Sequence, residues 1–351
     1  MPLLIIDGRM PSGSSFANYV SGLAKGLSNI APKSAYEVVF LTRPEQKIFD
    51  FRTIECNIPF LHPKEIFKIP SILKKNKADL YHSPSFSSLL YYPCPHIITV
   101  HDLNHLQFGN FAHKIYYNIL LRKALLGAKT AVSVSQFSAA EIKRWIPRLT
   151  IECAYNPIEK QAELSPETES KILNKFKLQK NSFFFCLSNS KPHKNLDFLK
   201  SAYQKFSTTE KTPLPLVIST QSIAQSNGIH HIGFLNNEEM ACLLKNCSAF
   251  FFPSLYEGFG RPPLEAALYE KALVVSKIPP HVEALCLLPE NEKLLLSPKN
   301  ETEWSNAFQL AQNKKLAPVS LASKNKILDF YSAASLAKKM DGIYKNALGL
   351  G

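Results

Sequence analysis

The sequence contains no uninterrupted apolar run of about 18 residues, so nothing in it reads as a helix crossing a bilayer. Its opening, MPLLIIDGRM, has only a short apolar run, without a basic flank before it and with an aspartate directly after. That is too short for a secretory signal and reads as a first buried strand. Paired cysteines are missing as well: the seven present (Cys56, Cys94, Cys153, Cys186, Cys242, Cys247 and Cys286) are odd in number, scattered and without CxxC spacing. This argues against a disulfide framework and a zinc site, and for a reduced, cytoplasmic protein. Cys153 and Cys186 fall inside apolar strand-like runs and read as core filler. There is no low-complexity linker, no repeat, no GxSxG, no Walker loop, no GxGxxG after the first strand and no aspartate-rich metal cluster. Acidic residues are scarce, 28 against 41 Lys and Arg, for a formal charge of +13. In residues 1–157 the count is 18 basic to 10 acidic, so the excess leans to the N-terminal half. Such a balance implies something anionic as partner: nucleic acid, membrane headgroups or a phosphorylated substrate. No aromatic-and-basic interleaving of a known nucleic-acid module is present, so nucleic acid is not the expected partner.

With 351 residues, 45% of them apolar and 20% charged, the chain is globular and longer than one core usually grows, which predicts two domains. Short apolar runs alternate with amphipathic stretches in two series. The first contains LLIID, EVVFLT, DLYH, IITVH, TAVSV and TIECAY, with helical segments near 15–29, 112–127 and 136–146. The second contains SFFFCLS, LPLVIST, HHIGFL, AFFFPS, ALVVS and KLLLS, with helical segments near 194–206, 237–246, 261–270 and 300–313. Continuous apolar strands separated by helices predict parallel sheets covered on both faces, hence two doubly wound α/β domains. The polar, proline-bearing stretch at 157–168 is the expected seam. Ligands of such sheets sit beyond the carboxyl ends of the strands, so the informative residues should follow the strands.

After AFFFPS comes SLYEGFGRPPLEA, residues 254–266, with Glu257 and Glu265 eight positions apart. A helix starting near Arg261, with proline tolerated in its first turn, leaves the N–H groups of Gly258, Phe259 and Gly260 facing an anion or a sugar hydroxyl. Two carboxylates are poor phosphate ligands and good acceptors for the paired hydroxyls of a ribose or hexose, so the segment suits a sugar joined to a nucleotide. The plain alternative is that both glutamates merely favour a helix N-terminus. In SNSKPHKNLDFL, residues 188–199, Lys191 and Lys194 flank a proline turn before a helical stretch, which reads as a diphosphate grip or as a solvated face. His101 and Asp102 end the strand IITV, a position equally suited to an active site or a structural hydrogen bond. RMPSGSSFANYVSGL, containing Gly13, follows the first strand and reads evenly as a phosphate-facing loop or as a turn capped by Ser14 or Ser15.

Together these segments resemble the retaining nucleotide-sugar glycosyltransferases of family 4. YEGFGRPPLEA resembles their E-x7-E signature and KPHKNL their diphosphate-binding segment, while VHDL and SVSQFS are similar to their N-domain segments. The resemblance implies a GT-B fold, two Rossmann-like doubly wound domains facing a cleft. The acceptor domain would be 1–160, the donor nucleotide-sugar domain 161–332, and a C-terminal helix at 333–351 would pack back on the first. It implies that Glu265 holds the ribose hydroxyls and Glu257 those of the donor sugar, beside Gly258, Phe259 and Gly260. Lys194, assisted by Lys191, would neutralise the departing nucleoside diphosphate, Gly13 would approach that phosphate, and His101 would touch the sugar near the reacting carbon. Gly233, Phe234 and Leu235 would hold the base through their backbone. Glu257, His101 and Lys194 are thus the candidate catalytic residues. Neither a metal nor another cofactor is implied. The partners implied are a nucleotide-sugar donor, GDP-mannose as first choice, and a glycan or lipid-linked acceptor in cell-surface polysaccharide or lipopolysaccharide assembly. The sequence departs from the pattern at Ser188, at Glu270-Lys271-Ala272 where a Gly-x-Pro turn is common, and at Ser14-Ser15 after Gly13.

Competing readings are a nucleotide-sugar epimerase of the same fold, a catalytically silent scaffold, and a protein that binds anionic surfaces. The stretch 62–81 mixes Lys64, Lys68, Lys74, Lys75 and Lys77 with Ile66, Phe67, Ile69, Ile72 and Leu73 around Pro70. It reads either as a peripheral contact with the inner face of the cytoplasmic membrane or as an ordinary solvated helix face.

Overall fold

A computed structural model describes residues 1–11, 14–30, 35–159, 163–220 and 227–351. The chain divides into two compact units, one of Met1–Pro157 with Phe330–Gly351, the other of Ile158–Asp329.

In the first unit, strands β1 (Leu3–Asp7), β2 (Glu37–Thr42), β3 (Arg52–Glu55), β4 (Leu80–Ser83), β5 (His96–Val100), β6 (Thr130–Ser133) and β7 (Ile151–Cys153) make one sheet. It is parallel throughout, in the order β3-β2-β1-β4-β5-β6-β7. Its helices are α1 (Ser15–Ser28), α2 (Glu65–Lys75), α3 (Asn104–Phe108), α4 (Phe111–Tyr116), α5 (Arg122–Leu126) and α6 (Gln136–Trp145). β1, β4 and β5 are buried along their whole length, and the short apolar runs LLII and IITV mark the first and the last of them. The exposed edge strand β3 is polar and has no such run, so nothing local marks it as a strand.

A buried ionic knot ties β1 to α2. Arg9 grips Asp7 with two hydrogen bonds, Nη2 to Oδ2 at 2.7 Å and Nε to Oδ1 at 2.9 Å, and its Nη2 also donates to Glu65 Oε1 at 2.9 Å. Ser87 Oγ and the Leu61 N–H, both at 2.8 Å, donate to Glu65 as well. The charges are fully desolvated, and such a cluster is tolerable only because every member has its partners.

The second unit repeats the plan with β8 (Phe184–Cys186), β9 (Leu216–Ile218), β10 (Ile229–His231), β11 (Ala249–Phe252), β12 (Ala272–Ser276) and β13 (Leu294–Leu296). Their order is β10-β9-β8-β11-β12-β13, again all parallel. Its helices are α7 (Pro166–Lys175), α8 (Leu196–Ser207), α9 (Asn237–Asn246), α10 (Arg261–Leu268), α11 (Pro279–Ala284), α12 (Glu301–Gln312) and α13 (Leu321–Phe330). Aromatic rings fill the space between sheet and helices: Phe251 stacks on Phe308 with centroids 4.0 Å apart, and the buried Trp304 donates to the Ser297 carbonyl at 2.9 Å. Each ring of this size contributes about 1.5–3 kcal/mol by leaving water.

The last helix, α14 (Ala333–Leu348), belongs to the first unit and lies on α1. Gly26 permits this crossing, because a Cβ there would stand 2.1 Å from the Ala333 carbonyl oxygen. Tyr36 Oη donates to Asp341 Oδ1 at 2.8 Å, and His82 Nδ1 pairs with Tyr344 Oη at 2.7 Å.

Four sequence expectations change. The seam at 157–168 contains the start of α7, with Pro166 in its first turn and Ser165 accepting from the Thr168 N–H at 3.2 Å. The strand expected through HHIGFL ends at His231. The helix expected at 112–127 is α4, a π turn over Tyr117–Leu121, and α5. In 62–81, α2 runs through Pro70 and divides the expected apolar set: Ile69, Ile72 and Leu73 are committed to the core, while Phe67 is 73% exposed and Lys64, Lys68, Lys74, Lys75 and Lys77 stay exposed.

Candidate active site

The strand order of the second unit reverses between β8 and β11, and the connections leaving these two neighbours lie side by side, as a switch point requires. Both carry the glycosyl-transfer candidates. The Leu255 N–H donates to the His193 carbonyl at 2.7 Å, and Asn195 Nδ2 reaches the carbonyls of Pro253 at 3.3 Å and Pro298 at 3.0 Å. Lys194 closes a short 3-10 turn, Pro192–Lys194, and its ammonium meets Glu257 Oε1 at 2.5 Å. The two side chains keep only 13% and 14% of their surface exposed. The same ammonium stands 5.5 Å from the Phe252 ring centroid, a cation-π distance.

Glu257 is followed by the buried Gly258, Phe259 and Gly260, and Gly260 caps α10 with φ 98°. A Cβ at that position would come within 2.8 Å of His281 Cδ2, so both the backbone angle and the space demand glycine. The positive end of α10 then lies behind these amides. Glu265 is buried one turn into α10 and accepts from Arg261 Nε at 2.6 Å, an i,i+4 pair within the helix. The nearby Tyr269 hydroxyl is buried without a hydrogen-bond partner among the described residues, and burial, reinforced by the charge of Glu265, pushes its pKa up to about 12.

The charge state of the pair follows from its neighbours. Burial alone would raise the pKa of Glu257, but Lys194 and His281 outweigh it and the carboxyl is held below its ordinary value. His281 is fully buried, and its Nδ1 lies 2.9 Å from the Ser276 carbonyl, which fixes the proton on that nitrogen. Its Nε2 is then an acceptor, buried and without a hydrogen-bond partner among the described residues. Burial lowers the pKa of His281 to about 4 against the opposing pull of Glu257 and the Ser276 carbonyl, so the ring is neutral at physiological pH.

Lys191 sits exposed at the head of the 3-10 turn, its N–H on Asn189 Oδ1 at 3.1 Å. With Ser190, Asn195, Lys200, Thr220 and His231 it lines a cavity of about 420 Å³. Gly233 donates its N–H to the Thr220 carbonyl at 3.0 Å, Leu235 is half-buried, and Phe234 is 74% exposed. These three follow β10, two strands away from β8. His101 belongs to the first unit, directly after β5, where Nε2 donates to the Pro84 carbonyl at 3.0 Å and Phe16 and Tyr19 pack edge-on at 4.7 and 5.1 Å. Burial lowers its pKa to about 4 despite the Pro84 bond. Gly13 lies outside the described residues. Among the described residues, no group of three or more His, Cys, Asp or Glu is gathered to hold a metal ion.

Sequence reasoning missed Arg261 and His281. Arg261 lies inside the 254–266 motif four residues before Glu265, a spacing that pairs charges on a helix. His281 closely follows β12, next to the Pro279-Pro280 pair, a strand-end position like the others. The departure at Glu270 also acquires a physical meaning: this residue holds φ 56°, the left-handed conformation just past a helix end where glycine is the usual choice.

Two doubly wound parallel α/β domains make up the GT-B fold. Anabaena HepE, solved with UDP and glucose, has this fold, with a TM-score of 0.72 at 15% identity over 98% of this chain and 99% of that one. A glycosyltransferase from Rickettsia africae ESF-5 gives 0.69 at 16% identity over 100% and 99%. Residues 18–161 match the profile described as Glycosyltransferase Family 4, and residues 168–327 that described as Glycosyl transferases group 1. The chain belongs to glycosyltransferase family 4. O-antigen chain mannosyltransferase RfbU of Salmonella typhimurium is 26% identical, the match taking in 60% of this chain and 59% of that protein. O-antigen chain mannosyltransferase B of Escherichia coli is 24% identical over 76% of this chain and 72% of that one.

Proposed function

We propose that the protein transfers a hexose, mannose first, from a nucleoside-diphosphate sugar to a glycan or lipid-linked glycan acceptor, with retention at the anomeric carbon, in cell-surface polysaccharide assembly at the inner face of the cytoplasmic membrane. The observation that carries this reading is the Lys194–Glu257 pair held beside the buried amides of Gly258–Gly260. Each group now neutralises the other, whereas a donor offers a diphosphate to the ammonium and sugar hydroxyls to the carboxylate. Glu265, held by Arg261, would take the paired ribose hydroxyls.

In the proposed step the bond from the anomeric carbon to the diphosphate oxygen breaks and a bond to an acceptor hydroxyl oxygen forms on the same face. The acceptor proton passes to a donor phosphate oxygen, so no separate base and no metal is assigned. Lys194 stabilises the charge growing on the leaving diphosphate, and electrostatic stabilisation of this kind is usually the main source of rate acceleration at such a site. Mannose is the first choice because the two curated relatives above are named mannosyltransferases.

The test is a thermal-shift panel of GDP-mannose, UDP-glucose and the corresponding free nucleotides on the parent and on Glu265→Ala. One nucleotide sugar should stabilise the parent, by about 2.7 kcal/mol at a hundred times its Kd, and not the variant. A folded parent that answers none of them would leave the silent-scaffold reading standing.

A further inference from the structure

The segment between β5 and β6 presents two faces of different character. Its inner side is core: Tyr117, Leu121, Ala124 and Leu125 are buried against Ile98 and Val100, and the Tyr116 hydroxyl accepts from the Ser88 N–H at 2.9 Å. Its outer side is apolar too, which a solvated face would not be. Phe111 is 79% exposed, Ile119 60%, Leu126 55%, Phe108 49% and Ile115 43%. Phe111, Ile115 and Ile119 follow one another at steps of four, the spacing of one helical stripe.

The charges around this stripe have one sign. From 103 to 140 the sequence has no Asp or Glu, while Lys114, Arg122, Lys123 and Lys129 are all exposed. Helix α6 comes alongside, with Trp145 Nε1 donating to Asn118 Oδ1 at 3.2 Å, and it brings exposed Arg144, with exposed Arg148 just beyond its end. Its one acid, Glu141, accepts from Gln107 Nε2 at 3.0 Å.

We propose that this face, centred on α4, the π turn and α5, docks the first unit onto an anionic lipid surface, with Phe111, Ile115 and Ile119 entering the headgroup boundary and the cations meeting the headgroups. Bulky apolar side chains within a basic surround match that partner in both respects. A second copy matches the apolar stripe but not its surround, because a two-fold interface on this patch brings the cations Lys114, Arg122 and Lys123 of both copies together. The docking face is distinct from α2 and does not depend on the donor-site reading.

Flotation with vesicles of equal parts phosphatidylglycerol and phosphatidylcholine, against phosphatidylcholine alone, tests it. The parent should float with the anionic vesicles only. Lys114→Gln, Arg122→Gln and Lys123→Gln combined should weaken binding about a hundredfold, on the order of fivefold per cation. Phe111→Ser, Ile115→Ser and Ile119→Ser combined should remove it, with melting temperature and the donor-induced shift unchanged. Should the serine variant fail to fold, the charge variant still decides. A parent that ignores anionic vesicles overturns the proposal. So does binding untouched by these variants but lost on replacing Lys64, Lys68, Lys74, Lys75 and Lys77 by glutamine, or a parent dimer that the serine variant dissolves.

Discussion

At Glu257 a mostly buried carboxylate stays ionised because an ammonium touches it. His281, His101 and His82 show the opposite case. Burial drives the pKa of His281 and His101 to about 4 and that of His82 to about 3, against an ordinary 6.5. His82 spends both nitrogens on neutral hydroxyls, Tyr344 at 2.7 Å and Thr99 at 2.8 Å, so a second proton has no anionic partner. Because the folded values lie below the unfolded one, the unfolded chain binds protons first as pH falls. The stability these rings contribute is complete above about pH 6.5 and is lost on descending toward about pH 4, at on the order of 1.4 kcal/mol per pH unit for each ring. Urea midpoints should therefore fall steadily between about pH 7 and about pH 5. A flat profile there would mean that the rings accept protons in the folded protein.

At the level of elements, α14 and α1 meet at Gly26, and the same helix pair supplies the comparison. A Cβ at Gly26 strikes the Ala333 backbone, whereas one at Gly342, inside α14, meets nothing within 4 Å. Gly26→Ala should cost about 1–3 kcal/mol as an overpacked contact, and Gly342→Ala should stabilise by about 0.5–1 kcal/mol through helix propensity. Chemical denaturation of the two variants checks both signs. The elements legible in the sequence were those that physics marks locally. β1, β5, β11 and β12 are continuous apolar runs because both faces are covered, and α10 announces itself through Gly260 and its prolines. What stayed hidden needs tertiary information: β3 is a polar edge, α7 begins inside a stretch whose prolines read as a linker, and the apolar residues of α2 look alike whether they face core or lipid. The site was read in the same way. Glu257, Glu265 and Lys194 stand in local motifs, but that Lys194 and Glu257 pair, and that Nε2 of His281 is left without a hydrogen-bond partner among the described residues, follows only from the way β8, β11 and β12 lie side by side.

For the molecule as a whole, the two sheets share one plan, each reversing its strand order once, and the transfer chemistry proposed above is assigned to the reversal in the second unit. Among the described residues no helix is long and apolar enough to cross a membrane; the lipid contact proposed above is assigned to the basic, apolar face of α4 and α5. The claim on which the rest turns is that Lys194 stabilises a departing nucleoside diphosphate. It is tested most directly by the rate of nucleoside diphosphate release from the donor that the binding panel identifies, measured at saturation on the parent and on Lys194→Ala. A fall of about a hundredfold to a thousandfold in that rate is expected; release at the parental rate from a folded Lys194→Ala protein would contradict the claim.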